Sequence, residues 1–508
     1  MARSPVAITV ALVLALLTLG TAAVVLAHGH LHLTAPDWAA VRFTLLQASL
    51  SALVSTALAI PVARALARRR FRGRALLITL MGAPFLLPVI VAILGLLAVF
   101  GRAGVLNQTL QALGLPSIQI YGLHGVVLAH VFLNLPFATR MILQGWQAIP
   151  AERLRLAASL GFLPAAVARH LEWPMLRSVL PGALITIFVI CLTSFAVALT
   201  LGGGPRATTV ELAIYQSLRF DFDLGRAASL AAVQFALCAT TALVAWRIIQ
   251  TPGFGAGLDR GYTLAPAGWR RVTDATAIIL SAAFLLIPLA MVIANGIQGL
   301  PHLPPSIWPA AIRSVAIAIP SALLATAAAL TLALAVAKTN NRGLDLAALL
   351  PLATSGLVLG TGLFLIVQPL TSPATIALPV TLIVNAALAL PFVYRLLLPE
   401  AQALHRDYAR LTTSLNIHGP SALFLVTLPR LSRPLGFGTG IAAALSMGDL
   451  GVIALFASDA QATLPLAIQR LTAAYRMDAA ASASLLLVTI SFTLFALCDY
   501  GGRHAAPD

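Results

Sequence analysis

Charge is scarce in this chain, and lysine scarcer still. Only 9% of its 508 residues are charged, against roughly a quarter in an ordinary soluble domain, while 59% are hydrophobic and the mean hydropathy is +0.94. That balance excludes a soluble globular protein and leaves an all-α polytopic membrane protein. The single lysine, Lys338, follows Ala337 and precedes Thr339. A P-loop needs Gly-Lys-Ser/Thr, because the lysine reaches the nucleotide phosphates, so ATP hydrolysis by that route is excluded. The three cysteines, Cys191, Cys238 and Cys498, all lie inside apolar runs, which gives neither a disulfide framework nor a thiolate metal site. Nearly all of the 16 acidic residues fall at expected helix ends or in loops, whereas ion-driven carriers keep carboxylates deep inside their spans. Asp449, in SMGDLGVIALF, is the acid that falls deep; a proton relay, a substrate contact and a helix-end group all fit it. Paired carboxylates and Ser/His/Asp arrangements are missing too, so an enzyme is not expected and no catalytic residue is assigned. His28, His30 and His32 alternate without an acidic or cysteine neighbour and read as a solvated loop, with no metal site expected.

What the chain does have is apolar runs. The first, residues 6–27, exceeds the apolar core of a signal peptide and is long enough to cross a bilayer. Eleven further runs follow, near 43–63, 75–100, 123–144, 179–201, 227–248, 273–295, 313–336, 344–368, 374–397, 435–457 and 481–499. The net charge of +16 is explained by orientation rather than by nucleic acid. Six arginines lie between Arg64 and Arg74, and the positive-inside rule assigns that loop to the cytoplasm. Alternating from there leaves both termini inside, with most basic residues on the same side.

The chain also repeats itself. Leu135-Pro136-Phe137 and Arg140 recur 255 residues later as Leu390-Pro391-Phe392 and Arg395; Glu152, Arg155, Ser159, Leu160 and Pro174 recur as Asp407, Arg410, Ser414, Leu415 and Pro429. A constant offset over some sixty residues indicates an internal duplication. The expected layout is a first repeat at 1–250, a Gly- and Pro-rich cytoplasmic linker at 251–272 and a second repeat at 273–508. Six spans per half make the two repeats parallel, unlike the inverted repeats of several secondary carriers.

Between the fourth and fifth spans lies ERLRLAASLGFLPAAVARHLEWP, residues 152–174. Leu154, Ala157, Ala158 and Gly161 recur at helical spacing, Gly161 suits a left-handed helix end, Pro164 opens a second short helix and Pro174 is expected to stop it. Small residues at Ala157 and Ala158, and at Thr412 and Thr413 in the second copy, permit close approach of another helix. Two such elements on one face, with no ATP site in the chain, point to two copies of an external ATPase. On the far side, Glu211–Leu218 has helical spacing and is expected to lie at the membrane interface.

These loops resemble the EAA loop of bacterial ABC-importer permeases: Glu-Ala-Ala, three residues, Gly, then nine residues before Ile-x-Leu-Pro. Gly161 and Pro174 stand thirteen apart as in that pattern, with Leu171 and Trp173 at the Ile and Leu positions. In the second loop Asn416 replaces the glycine, followed by Val426, Leu428 and Pro429. Both loops depart from the pattern, with Arg155 and Arg410 at the Glu position, Leu156 and Leu411 at the first Ala, and the carboxylate three residues earlier at Glu152 and Asp407. RRRFRGRALL, YGLHGVVLAHVFLNLPFATRMILQ, LGGGPRATTVELAIYQSL and SMGDLGVIALF further resemble the fused permeases of thiamine/thiamine pyrophosphate importers. The similar ferric-iron permeases are the alternative, and a stand-alone ion-coupled carrier a more distant one.

That resemblance implies the type I importer fold in a bacterial inner membrane, a periplasmic binding protein outside and two ATPase subunits inside. ATP and magnesium then sit on those subunits, with no cofactor in this chain. It implies ATPase coupling by loops near 146–175 and 400–430, through Glu152, Arg155, Ala157, Ala158, Gly161 and Pro174 in the first and Asp407, Arg410, Thr412, Thr413, Asn416 and Pro429 in the second. The segments 194–200 and 449–455, with Ser194, Phe195 and Asp449, are the candidate translocation path. Gly202, Gly203, Gly204 and Arg206 are the candidate contact for the binding protein.

Overall fold

The computed structural model describes residues 5–29, 33–81, 87–204, 207–248, 268–417 and 419–505. Among them there is no strand. Among the described residues, eleven helices are long and apolar enough to cross a membrane, and twelve if one bent pair counts as a single span. The first half comprises α1 (Pro5–His28), α2 (Ala35–Arg68), α3 (Val89–Phe100), α4 (Leu123–Gln147), α5 (Ala151–Ser159), α6 (Pro164–Leu192), α7 (Val210–Arg219) and α8 (Leu224–Ile248). The second comprises α9 (Trp269–Gln298), α10 (Ile307–Thr339), α11 (Gly356–Val367), α12 (Ala377–Ser414), α13 (residues 420–447), α14 (Leu464–Ala473) and α15 (Met477–His504). Helix α9 begins at Trp269, within the stretch 251–272. Most of that stretch, residues 249–267, lies outside the described residues.

The duplication is written into the packing. The buried positions of α2 (Asp37, Ala40, Val41, Thr44 and so on to Leu66) each fall, 270 residues later, on a buried position of α10 (Ile307, Ala310, Ala311, Ser314 to Val336). By α4 and α12 the offset has fallen to about 255, because the first half carries an extra short helix, Val105–Ala112, in the loop before α4. Thr44 and Ser314 do the same work in each half. Their hydroxyls accept the N–H of Val210 at 2.9 Å and of Leu464 at 2.8 Å, capping α7 and α14 against the neighbouring long helix. Helix α7 forms where the spacing predicts, but its apolar side is covered by protein rather than left for lipid: Val210, Glu211, Leu212, Ala213, Ile214, Ser217 and Leu218 are buried.

The two halves exchange their first helices. Helix α1 lies against α10 and α11 of the second half, and α9 lies against α2 and α3 of the first. Glycines make both crossings possible. A Cβ on Gly95 of α3 would lie 2.8 Å from the Pro288 carbonyl oxygen, and one on Gly362 of α11 would lie 2.6 Å from the Thr21 Cβ. The run at 344–368 is not one straight span. Residues Arg342–Ala353 and Gly356–Val367 meet at 90°, where Thr354 and Ser355 turn extended and the Ser355 hydroxyl caps α11 by accepting the Val358 N–H at 3.1 Å.

At the end of α2 opposite its own N-terminus, Arg64 and Arg68 are part of the helix rather than of a loop. At its start, Thr34 and Asp37 form a capping box, and the buried Asp37 carboxylate accepts Nε and Nη2 of Arg226 at 3.0 and 2.9 Å, tying α2 to α8.

Candidate functional site: paired loops and paired helix breaks

Helix α5 carries the first loop. Its last turn closes at Leu160, and Gly161 turns left-handed at φ +65°. The second loop makes the same turn without glycine, since Asn416 sits at φ +54°. Asparagine is among the few residues with a side chain that enter this region readily, so the Gly-to-Asn difference leaves the geometry intact. The loops differ instead in how they are attached. A break at Ala148–Pro150 separates α5 from α4, whereas the second copy is the unbroken end of α12.

Pro174 and Pro429 do not stop the helices. In each loop the second arm opens at a proline, Pro164 or Pro420, and runs through a π-helical turn, Ala168–Glu172 or Leu423–Thr427, straight into the next span. The wider turn sends the Trp173 N–H to the Ala168 carbonyl and the Leu428 N–H to that of Leu423. A proline at the next position lacks an N–H, and the widened turn relieves its clash with the preceding carbonyls. Sequence spacing sees the proline but not the turn that accommodates it.

Glu152, Arg155, Ala158, Gly161 and Pro174 are exposed and Ala157 is buried; Asp407, Arg410, Thr413 and Asn416 are exposed, while Thr412 and Pro429 are half-buried. Alongside them are four leucines for which the sequence pattern gives no coupling role. Leu156 and Leu160 are 59% and 61% exposed, and their counterparts Leu411 and Leu415 are 50% and 60% exposed. One helical turn separates each pair, so each loop presents an apolar ridge. Because successive spans alternate in direction, both ridges belong to the end of the bundle that holds Arg64–Arg74.

The helix breaks are the second paired feature. Helix α6 ends at Leu192 and resumes as Ala196–Leu201; α13 ends at Met447 and resumes as Gly451–Phe456. The two breaks approach each other, since a Cβ on Gly451 would lie 4.0 Å from Phe195 Cδ1 and 3.9 Å from Asp449 Oδ1. Phe195 is buried, with its ring 5.2 Å from that of Tyr215; Ser194 is half-buried. Asp449 stands just before the short helix Gly451–Phe456, and its Oδ2 is buried without a hydrogen-bond partner. It lines a cavity of about 10 Å³ with Ser314, Thr381 and Thr463, room for one water molecule. Asp449 thus stands at a helix end, and the cavity beside it is far too small for a solute.

Gly202 is buried, and a Cβ there would lie 2.8 Å from the Ala207 carbonyl oxygen; Gly203 and Gly204 are exposed at φ +75° and +121°. This turn rests on the loop before α4 through the Gly122 N–H and the Leu201 carbonyl, 2.8 Å apart. Arg206, like His30 and His32, lies outside the described residues.

Two further features escape the sequence pattern. Glu172 is buried and paired with Arg64 and Arg68 of α2. Glu211 of α7 is 1% exposed, and its Oε1 is buried without a hydrogen-bond partner. Burial pushes its carboxyl up to about 8. Glu172 lies in the polar stretch ARHLE, where no local signal sets it apart from an ordinary solvated acid. No local signal marks Glu211 as buried.

No family model matches the chain. Over 491 residues it is 39% identical to the thiamine transport system permease protein ThiP of Salmonella typhimurium, covering 93% of this chain and 90% of that protein. The ThiP protein of Brucella abortus is 38% identical over 479 residues, with 91% and 87% covered. The molybdenum transport system permease protein ModB of Azotobacter vinelandii is 31% identical over 178 residues, which is 35% of this chain but 78% of that protein. With such identity running end to end through the spans and both sets of paired loops, the chain belongs to the family of thiamine transport system permeases.

Proposed function

We propose that this chain is the membrane subunit of an ATP-driven importer that carries thiamine or its pyrophosphate from a periplasmic binding protein to the cytoplasm. The single observation that carries the reading is the pair of loops at α5 and at the end of α12. They share a left-handed residue, a π-turn and an exposed leucine ridge at one constant offset. Two equivalent ridges on one face suit a dimer of ATPases, one subunit per loop. ATP and magnesium belong to those subunits, and the permease itself needs no cofactor.

In this reading the protein sits in the bacterial inner membrane with both termini in the cytoplasm. Its repeats are 1–250 and 273–508, and 251–272 is the linker. Glu152, Arg155, Ala157, Ala158, Gly161 and Pro174, with Asp407, Arg410, Thr412, Thr413, Asn416 and Pro429, form the coupling surface. Phe195 and Asp449, from the two breaks, close the path between the halves, with Ser194 beside them; a void the size of one water fits a closed path. The turn at Gly202–Gly204 and Arg206 receives the binding protein. The names of the relatives support thiamine as cargo.

The test is uptake of labelled thiamine by proteoliposomes holding this chain and its ATPase, with the binding protein outside. Uptake that needs both ATP inside and the binding protein outside supports the reading. Uptake by this chain alone under an ion gradient overturns it.

A further inference from the structure

The two loops share a fold but not an anchor. On the first π-turn, Glu172 divides its carboxylate between two guanidinium groups. Oε1 accepts Nη2 of Arg68 at 2.5 Å, and Oε2 lies 2.8 Å from Nη2 of Arg64. The residue just after α2, Arg69, pairs its Nε with Asp274 on α9 at 2.8 Å. The end of α2 thus grips the arm of the first loop and, beside it, the helix that the other half contributes. The Glu172 and Asp274 side chains are only 9% and 10% exposed, so these are not screened surface pairs, and losing one partner strands a charge out of water. On the second π-turn the matching residue is Thr427, which holds no charge and whose hydroxyl is engaged by the Ala422 carbonyl at 3.2 Å. The attachment of the loops differs in the complementary sense: α5 is separated from α4 by a break, and the second loop continues α12 directly.

We infer that Glu172 is a positioning residue of the transport cycle. It makes the first loop move with α2 and, through Arg69 and Asp274, with α9, whereas the second loop transmits its motion along α12 itself. The inference rests on the importer reading above. Coupling in this protein is then asymmetric: the first loop works through an ionic clamp and the second through a continuous helix.

The experiment measures ATP hydrolysed per thiamine imported by the reconstituted complex of permease, ATPase and binding protein. Glu172→Gln keeps the size of the side chain but loses its charge. It should raise that ratio about five-fold or more, the scale of an ordinary coupling energy, while hydrolysis itself continues. Glu172→Asp, Thr427→Gln and the exposed Arg72→Gln should leave it near the wild-type value. Should Glu172→Gln fail to insert, Arg68→Gln and the charge-exchanged pair Arg68→Glu/Glu172→Arg carry the test, with the exchanged pair closer to wild type than Glu172→Arg alone. An unchanged ratio in Glu172→Gln, or no rescue by the exchange, overturns the inference. A wild-type complex without ATP-dependent uptake overturns the importer reading instead. The clamp is then judged without cargo, from the distance between spin labels at Ser159 and Arg70. One narrow distribution that broadens in Arg68→Gln supports it, and an unaltered distribution overturns it.

Discussion

Gly362 of α11 lies directly against Thr21 of α1: a Cβ on the glycine would be 2.6 Å from the threonine Cβ and 2.8 Å from its carbonyl oxygen. The equivalent relationship, Gly95 against Pro288, recurs in the other half. These contacts are where each half receives the first helix of its partner. Enlarging either glycine forces backbone away from backbone, at a cost of about 1–3 kcal/mol for overpacking. Gly362→Val and Gly95→Val should therefore lower the thermal unfolding midpoint in detergent, read by loss of helical circular dichroism. Gly501→Ala, where an added Cβ meets nothing within 4 Å, should leave it unchanged.

At Gly161 the constraint is backbone angle, not space. Nothing lies within 4 Å of an added Cβ, but φ is +65°. Gly161→Asn should keep stability and transport near wild type, because Asn416 already makes the same turn. Gly161→Val should cost about 1–2 kcal/mol, the penalty of a left-handed residue with a full side chain. Equal thermal stability of the two variants would show that the turn relaxes and the strain argument fails.

The exposed leucines of the loops should matter for assembly rather than for folding. Leu160→Glu or Leu415→Glu replaces an apolar ridge residue that is about 60% exposed, so the unfolding midpoint of the isolated permease should stay the same. Binding of the ATPase, followed by co-purification at increasing detergent washes, should drop about ten-fold or more, as truncations of interface anchors do. Retained ATPase binding in both variants would remove these residues from the interface.

Glu211 gives stability a pH dependence of defined sign. Its carboxyl titrates near 8 because burial disfavours the charged form, against an ordinary value near 4.5. The folded state therefore holds a proton that the unfolded chain releases, and stability falls as pH rises from about 4.5 to about 8. Glu211→Gln should remove that slope. The mutant and wild type should unfold at similar temperatures at pH 5, with the mutant higher at pH 8. A constant difference across that range would count against a protonated Glu211.

Several features of the fold are legible in the chain itself. Hydropathy marks out twelve apolar runs, because bilayer thickness dictates the length of each. The offset of 255 locates both loops, and the left-handed turn at Gly161 follows from one residue type. Other readings fail for a physical reason. The proline rule ends a helix at Pro174, and the helix continues, because a π-turn five residues long rearranges the hydrogen bonds just before it. The spacing around Glu211 suggests an interfacial helix, yet spacing cannot distinguish lipid headgroups from a second helix layer.

The sequence by itself therefore determined what neighbouring residues decide together: span, repeat, turn and the lack of a P-loop motif. Only the tertiary structure decided which half receives α1 and α9, that Phe195 and Gly451 meet, and that Glu172 is gripped by Arg64 and Arg68. Those facts depend on residues about a hundred or more positions apart whose chemistry permits many partners. Packing of whole helices selects one of them, and no local signal in the chain records that choice.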